Sequence, residues 1–368
     1  MPPKDFHQKF DKSTQTKLHI FNEYFKESFP VFLYTPYWEE ILIFDFFAGK
    51  GYDETGEKST SLNILEQVKP YCNDLISKNK KLHIFLNDKD CKAELEQNVM
   101  EYLVNCKKDC KNECVIERGL HITANDFATY FDEIYEKLKR KPKAAKLIFL
   151  DPFNFILDQV KFAKLISLKA TDFICFLPSS YLYRFREYKG FNAFINTKEL
   201  PFDNTPAAHS HRVIADYFAS LIPESKEYYI GCFSIKKGSN YYGLIFGSNH
   251  TLGAEKFQRV CWDLDNLTGE ADYDIDREIS YNKTTGFLFE ELKISKKVQD
   301  FKHVLVEKIY CQDVETDIDA YKFALRNRCL VKHASEVLRD LSETKKIDRI
   351  KTITADIHRH QPINIKLL

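Results

Sequence analysis

The chain has 368 residues, 44% of them hydrophobic and 29% charged, which suits one or two packed domains of ordinary globular composition. Lys plus Arg and Asp plus Glu balance at 54 each, which excludes a whole-molecule positive field that would gather nucleic acid. Any such contact must rest on a local patch.

The segment MPPKDFHQKFDKSTQTK carries no apolar core, so it does not read as a secretory signal. Stretches such as Leu147 to Leu157 are broken by Asp and Asn and fall below the length of a membrane span. Ten scattered Cys fit reduced thiols. Together these features predict a cytoplasmic protein with no membrane contact.

In chain order, residues 16 to 40 predict an amphipathic helix carrying Leu18, Ile20, Phe21 and Tyr24, closed near Pro30. Ile41 to Phe47 is a continuous apolar run ending in Ala48-Gly49-Lys50-Gly51. Continuous rather than alternating hydrophobicity predicts a strand covered on both faces. A helix over 61–77 and strands over 82–86, 115–117, 146–150 and 173–177 follow, with helices over 92–104 and from Asp126 to Leu138 between them. Such alternation predicts a doubly wound, Rossmann-like α/β sheet. A helix over 213–221 precedes two strands, 228–235 and 241–246, joined by Lys236-Lys237-Gly238-Ser239-Asn240, which predicts an antiparallel edge hairpin.

From Asp263 to Glu278 there are seven acids and one base, with turn residues between them. The expected organisation is therefore 1–264 as the sheet domain, 265–297 as an acidic linker and connecting segment, and 298–368 as a mostly helical domain. Helices over 298–310, 319–326 and 331–342 followed by the β-prone stretch 347–353 predict a winged-helix-like module.

The chemistry is expected at the strand ends. Asp45-x-Phe47-Ala48-Gly49-x-Gly51 places glycines where a loop must approach a ligand closely. A dinucleotide fingerprint would want a third Gly, but that position is Glu54. An acid before the loop suits a cationic ligand end, such as the sulfonium and amino group of S-adenosylmethionine. Asp88 closes the next strand and can accept from ribose hydroxyls, with Asn87 and Asp90 as neighbouring choices. Asp126 and Phe127 are placed to reach an adenine amino group and cover its face, or Asp126 caps its helix.

Asp151-Pro152-Phe153-Asn154 ends the fourth parallel strand. An Asp carboxylate and a Pro carbonyl can hold an exocyclic amine, and an aromatic can stack on a flipped base. The tetrapeptide resembles the Asp-Pro-Pro-Tyr motif of amino methyltransferases, departing at Phe153 and Asn154.

Cys106, Cys110 and Cys114, four apart, match no common zinc spacing and suggest a solvated loop with incidental thiols. His209-Ser210-His211-Arg212 either contacts substrate or caps a helix. From Tyr321 onward there are eleven Lys/Arg against five Asp/Glu. Arg326, Arg328, Lys332 and Arg339 fall on or before the recognition helix of the expected module. Lys345, Lys346, Arg349 and Lys351 fall in its wing, so the domain can hold the phosphates of DNA or RNA, or serve as a protein-docking module, the other use of a winged helix.

Taken in order, these segments resemble the three-Cys-motif partner family, a bacterial group of class I methyltransferase-like proteins. The resemblance is carried by Lys17 after Thr16, by Asp45 to Tyr52, by Asp151-Pro152-Phe153 and by Tyr241 to Phe246. It continues in His250 to Lys256 with Trp262, and in His333 with Leu338-Arg339-Asp340-Leu341. It departs at Lys50, at Ser59-Thr60-Ser61 and at Asn154. It implies a methyltransferase sheet, S-adenosylmethionine as cofactor and a radical-enzyme-like protein partner with a three-cysteine motif. It also allows a non-catalytic nucleoside-binding scaffold in DNA modification, repair or defence.

Overall fold

The computed structural model describes residues 9–108, 110, 113–152, 154–184, 200, 202, 205–277, 295–348, 353, 357 and 360–368. Phe153, Arg349 and Lys351 lie outside the described residues, as does 278–294 of the expected linker.

Among the described residues seven strands form one sheet: β1 (Glu40–Asp45), β2 (Lys81–Asn87), β3 (Leu120–Thr123), β4 (Ala144–Leu150), β5 (Thr171–Leu177), β6 (Tyr229–Lys237) and β7 (Asn240–Ser248). Their order is β3-β2-β1-β4-β5-β7-β6. β1 to β5 pair in parallel, while β7 runs antiparallel to both β5 and β6. This is the expected α/β sheet with an antiparallel hairpin at one edge. β4 and β5 are buried at every position, as their unbroken apolar runs require. The hairpin strands are longer than expected. Lys237 pairs with Asn240 across a two-residue turn, in which Gly238 supplies φ +58°.

Alternate residues of β1 feed different layers. Ile41 and Ile43 face a core shared with α1 (Lys12–Tyr34), α2 (Thr60–Val68) and α10 (Thr251–Leu264). Leu42 and Phe44 face α6 (Phe127–Lys139), α7 (Gln159–Ser167) and α9 (Ser210–Ser220). Between the strands also lie α3 (Cys72–Ser77), α4 (Lys92–Lys107), α5 (Val115–Gly119) and α8 (Ser179–Arg184). Among the described residues, no helix is long and apolar enough to cross a membrane.

Two expected boundaries move. α1 does not close at Pro30 but carries it inside and continues to Tyr34, because Phe29 and Leu33 on either side are buried in the core. The expected strand 115–117 is the short helix α5, with β3 following at Leu120. Gly119 explains the shift: a Cβ there would stand 2.1 Å from the Leu82 carbonyl oxygen, so α5 lies directly against β2.

The C-terminal part contains α11 (Lys296–Tyr310), α12 (Asp317–Arg326) and α13 (Val331–Glu343). Antiparallel bridges join Ile347 to Leu367 and Thr316 to Asn364. Phe301, Leu305, Tyr321 and Leu338 belong to the same core as Phe257 and Val260 of α10. Gln258 donates to the Leu325 carbonyl at 2.6 Å and the Trp262 indole to that of Arg328 at 3.2 Å.

The described part of the acidic segment is packed rather than solvated. Ala271 bridges Ser234 of β6, and Glu270 is buried between Arg212 of α9 and Lys297 of α11. Three further acids also behave differently from a linker: Asp265 accepts from Leu267, Thr268 and Glu270 amides, Asp272 from Lys236, and Asp276 from Arg212.

Candidate cofactor and target site

The strand order reverses between β1 and β4, so a crevice opens beyond their carboxyl ends. Asp45 ends β1 and Asp151 follows β4. The register of these neighbouring strands therefore brings together two motifs 106 positions apart, the difference between 151 and 45.

The glycine loop has the geometry its residues predict. Gly49 and Gly51 hold φ +62° and +97°, a region that penalises side chains. A Cβ on Gly49 would meet nothing within 4 Å, so the loop presents open space there. At Gly51 it would crowd Leu62 at 3.3 Å. Ala48 is buried, its amide donating to the Asn87 carbonyl at 3.0 Å and its carbonyl accepting from Ser61 at 3.2 Å. Lys50 turns outward to Glu94 at 3.7 Å, while its carbonyl accepts from Asn98 at 2.7 Å.

Asp45 is fully buried. Its Oδ1 accepts from the Phe47 amide at 3.1 Å, but among the described residues Oδ2 has no hydrogen-bond partner. Burial pushes its carboxyl up to about 8. The Phe47 amide and Lys17 oppose that rise, and the charges of Asp151 and Asp88 reinforce it. A buried carboxylate oxygen without a donor is costly and suits a cationic group.

Of Asn87, Asp88 and Asp90, Asp88 is the one at the loop. Its Oδ2 accepts from the Gly49 amide at 2.9 Å, and Oδ1 from Asp90 and Cys91 amides at 3.0 and 2.9 Å. Three backbone amides thus hold it and the Cys91 thiol bonds to it as well, leaving room for at most one ribose hydroxyl rather than two. Asn87 instead stitches strand ends together, donating to Phe46 and Asn125 carbonyls and accepting from Thr123 and the Asn125 amide. Asp90 is exposed.

Asp126 takes the capping alternative. It is the N-cap of α6, accepting from the Ala128 amide at 3.1 Å, and is exposed and paired with Lys89. Phe127 is half-buried, its ring 5.2 Å from that of Phe47 and edge-on to Phe46 at 5.4 Å. These rings form an apolar wall beside the loop.

Pro152 is buried, Asn154 is exposed, and the Asp151 carboxylate is paired with Lys17 of α1. The Lys17 ammonium also lies 4.9 Å from the centroid of the Phe176 ring at the end of β5. In the family resemblance Lys17 is named only for its place after Thr16. No local pattern announces a pair between positions 17 and 151.

The cysteine motif is corrected in two respects. Cys106 and Cys114 are buried and Cys110 is half-buried, so the stretch is not a solvated loop. A fourth thiol, Cys72 of α3, joins the same cluster, and burial pushes it up to about 12. Among the described residues, no group of three His, Cys, Asp or Glu side chains is placed to hold a metal ion.

His209 to Arg212 start α9 and form a latch. His209 meets Asp276 at 3.1 Å, and Arg212 bridges Glu270 and Asp276. His211 is fully buried, which drives its imidazole down to about 3 and keeps it neutral.

Of the expected phosphate contacts, Arg328 is already committed. Its side chain is 13% exposed, pairs with Asp216 of α9 at 2.6 Å and points to the Ile230 carbonyl, fastening the C-terminal part to the sheet. Arg326, Lys332, Arg339, Lys345 and Lys346 are exposed. No protein-family model matches the chain, and no curated protein matches it either.

Proposed function

We propose that this chain is an S-adenosylmethionine-dependent methyltransferase acting on nucleic acid, of the three-Cys-motif partner type. The observation that carries the reading is the buried, donorless Oδ2 of Asp45 beside a positive-φ glycine loop, at the point where the strand order reverses. The residues fit the cofactor. Asp45 offers an acceptor for its amino group, Asp88 retains capacity for a ribose hydroxyl, and the Phe47–Phe127 wall offers an apolar surface for adenine. When bound, the cofactor supplies an activated methyl on a sulfonium.

The protein's own part is to place and polarise the acceptor. The Asp151 carboxylate and the Pro152 carbonyl would hold an amine, and Phe153 would stack on its base. As the amine nitrogen gains positive charge, a carboxylate in a water-poor site stabilises that charge. The sheet arrangement, with β7 reversed against β5, is what the methyltransferase resemblance implies. The C-terminal helices and their short ladder support a winged-helix reading, with Lys332, Arg339, Lys345 and Lys346 available to phosphates. A cytoplasmic setting and a radical-enzyme-like partner complete the proposal.

One observation favours the second reading, a non-catalytic scaffold that docks the partner. Asp151 is already held by Lys17. The deciding experiment is transfer of labelled methyl into total nucleic acid from cells lacking this protein, with the partner supplied. Incorporation supports the enzyme. Its absence, despite calorimetric binding of S-adenosylhomocysteine, supports the scaffold. Binding of NAD with neither S-adenosyl ligand removes both.

A further inference from the structure

Lys17 reaches the carboxyl ends of β4 and β5. It starts from α1, passes the face of Phe176 and ends on Asp151, with the two charged side chains 13% and 17% exposed. Its ammonium therefore sits at the carboxylate that the methyltransferase reading assigns to the acceptor amine. Asp45 ends β1 opposite Phe149 of β4, two residues before Asp151, so Asp45 and the Lys17–Asp151 pair lie at the same end of neighbouring strands. This strand end thus carries a buried acceptor without a donor among the described residues, on Asp45, and a paired cation on Lys17.

An α-amino-acid headgroup complements that pair. Its ammonium matches the Asp45 oxygen, and its carboxylate matches a lysine ammonium. We propose that Lys17 is a positioning residue that exchanges partners: the methionine carboxylate of the cofactor draws it from Asp151, which is thereby opened to the acceptor amine. The inference rests on the methyltransferase reading and adds an order to it. Cofactor binds first, and the acceptor site is assembled by that event. The Lys17–Asp151 pair is then the closed state of the site rather than a sign of lost activity. A lysine suits this role because its flexible four-carbon stem and compact charge can serve two anions in turn.

The test compares three ligands by calorimetry: S-adenosylhomocysteine, its decarboxylated analogue and adenosine. The native chain is expected to prefer S-adenosylhomocysteine over the decarboxylated analogue by roughly ten- to a hundredfold, the range of a charged hydrogen bond. Lys17→Met should reduce that ratio to about one while leaving adenosine binding as it was. Lys17→Arg should keep most of it. Asp151→Asn removes the competing anion and should raise the ratio severalfold, an outcome that a purely structural ion pair would not give. An unchanged ratio in Lys17→Met, or an unchanged or lower ratio in Asp151→Asn, overturns the exchange even when all three ligands bind. Failure of every ligand, adenosine included, overturns the methyltransferase reading itself and the exchange with it. Should Lys17→Met not fold, the Asp151→Asn ratio decides alone.

Discussion

Asp45→Asn should make the protein less sensitive to rising pH, and the size of the effect follows from where Asp45 sits. Its carboxyl is fully buried and is pushed up to about 8 from an ordinary value of 3.8, first by burial. A carboxyl raised in the folded state contributes most below its unfolded pKa and loses that contribution as pH rises through the folded value. Between about pH 4 and pH 8 the unfolded chain gives up this proton and the folded chain keeps it, so stability falls by about 1.4 kcal/mol per pH unit on this account. From pH 5.5 to 7.5 the loss is roughly 2 to 3 kcal/mol. Asn keeps the shape and removes the titration. Urea unfolding measured from pH 5.5 to 7.5 should therefore show the native-minus-variant difference shrinking by roughly 2 to 3 kcal/mol, with other groups cancelling between the two proteins. Parallel profiles would refute the assignment of a neutral, buried Asp45. The same residue links to the cofactor. An ammonium placed on Oδ2 favours the ionised form, so binding at pH 7 should release about one proton per ligand. Calorimetry in two buffers of different ionisation enthalpy reads that proton directly, and Asp45→Asn should abolish it.

Other outcomes are equally concrete. Replacing Gly49 by a bulky residue, or Asp88 by Ala, should weaken S-adenosylhomocysteine at least about tenfold, roughly 1.4 kcal/mol by calorimetry. Gly51→Ala should also destabilise the fold by about 1–3 kcal/mol in denaturant titration, because it forces a side chain into φ +97° against Leu62. Asp151→Ala should lower labelled methyl transfer by about a hundredfold or more, some 2.7 kcal/mol, and equal incorporation by both forms would remove Asp151 from the mechanism. In the full chain, replacing Lys332, Arg339 and Lys345 together by Ala should reduce the salt dependence of duplex binding by up to about three counterions. Arg328→Ala should leave that slope alone and instead loosen the C-terminal helices, read as faster hydrogen exchange in α12 and α13.

Much of the sheet was legible because parallel strands buried on both faces have to be continuously apolar. Ile41 to Phe44 and Leu147 to Leu150 could be nothing else of that length between helices. The glycines at 49 and 51 announced a close loop, and Asp45, Asp88 and Asp151 announced themselves by ending strands. All three are found there. Lone β-branched runs were less dependable. Val115 and Ile116 are as apolar as a strand, but the contact of Gly119 with β2 turned them into a helix.

What depended on distance through space was not written locally. The pair between Lys17 and Asp151, the fourth thiol at Cys72, and the loss of Arg328 from the surface each join elements far apart in the chain, and no spacing rule reaches across them. The acidic stretch after Asp263 misled for the same reason. Composition reports charge, but only packing reports whether that charge meets water or a partner. Arg212 and Lys297 arrive at Glu270 from two helices whose relative position the tertiary fold alone decides. Sequence thus determined the sheet and the chemical types lining its carboxyl edge, because periodicity and strand ends are local. Tertiary structure decided which charges are paired, because burial and ion pairing are properties of neighbours in space.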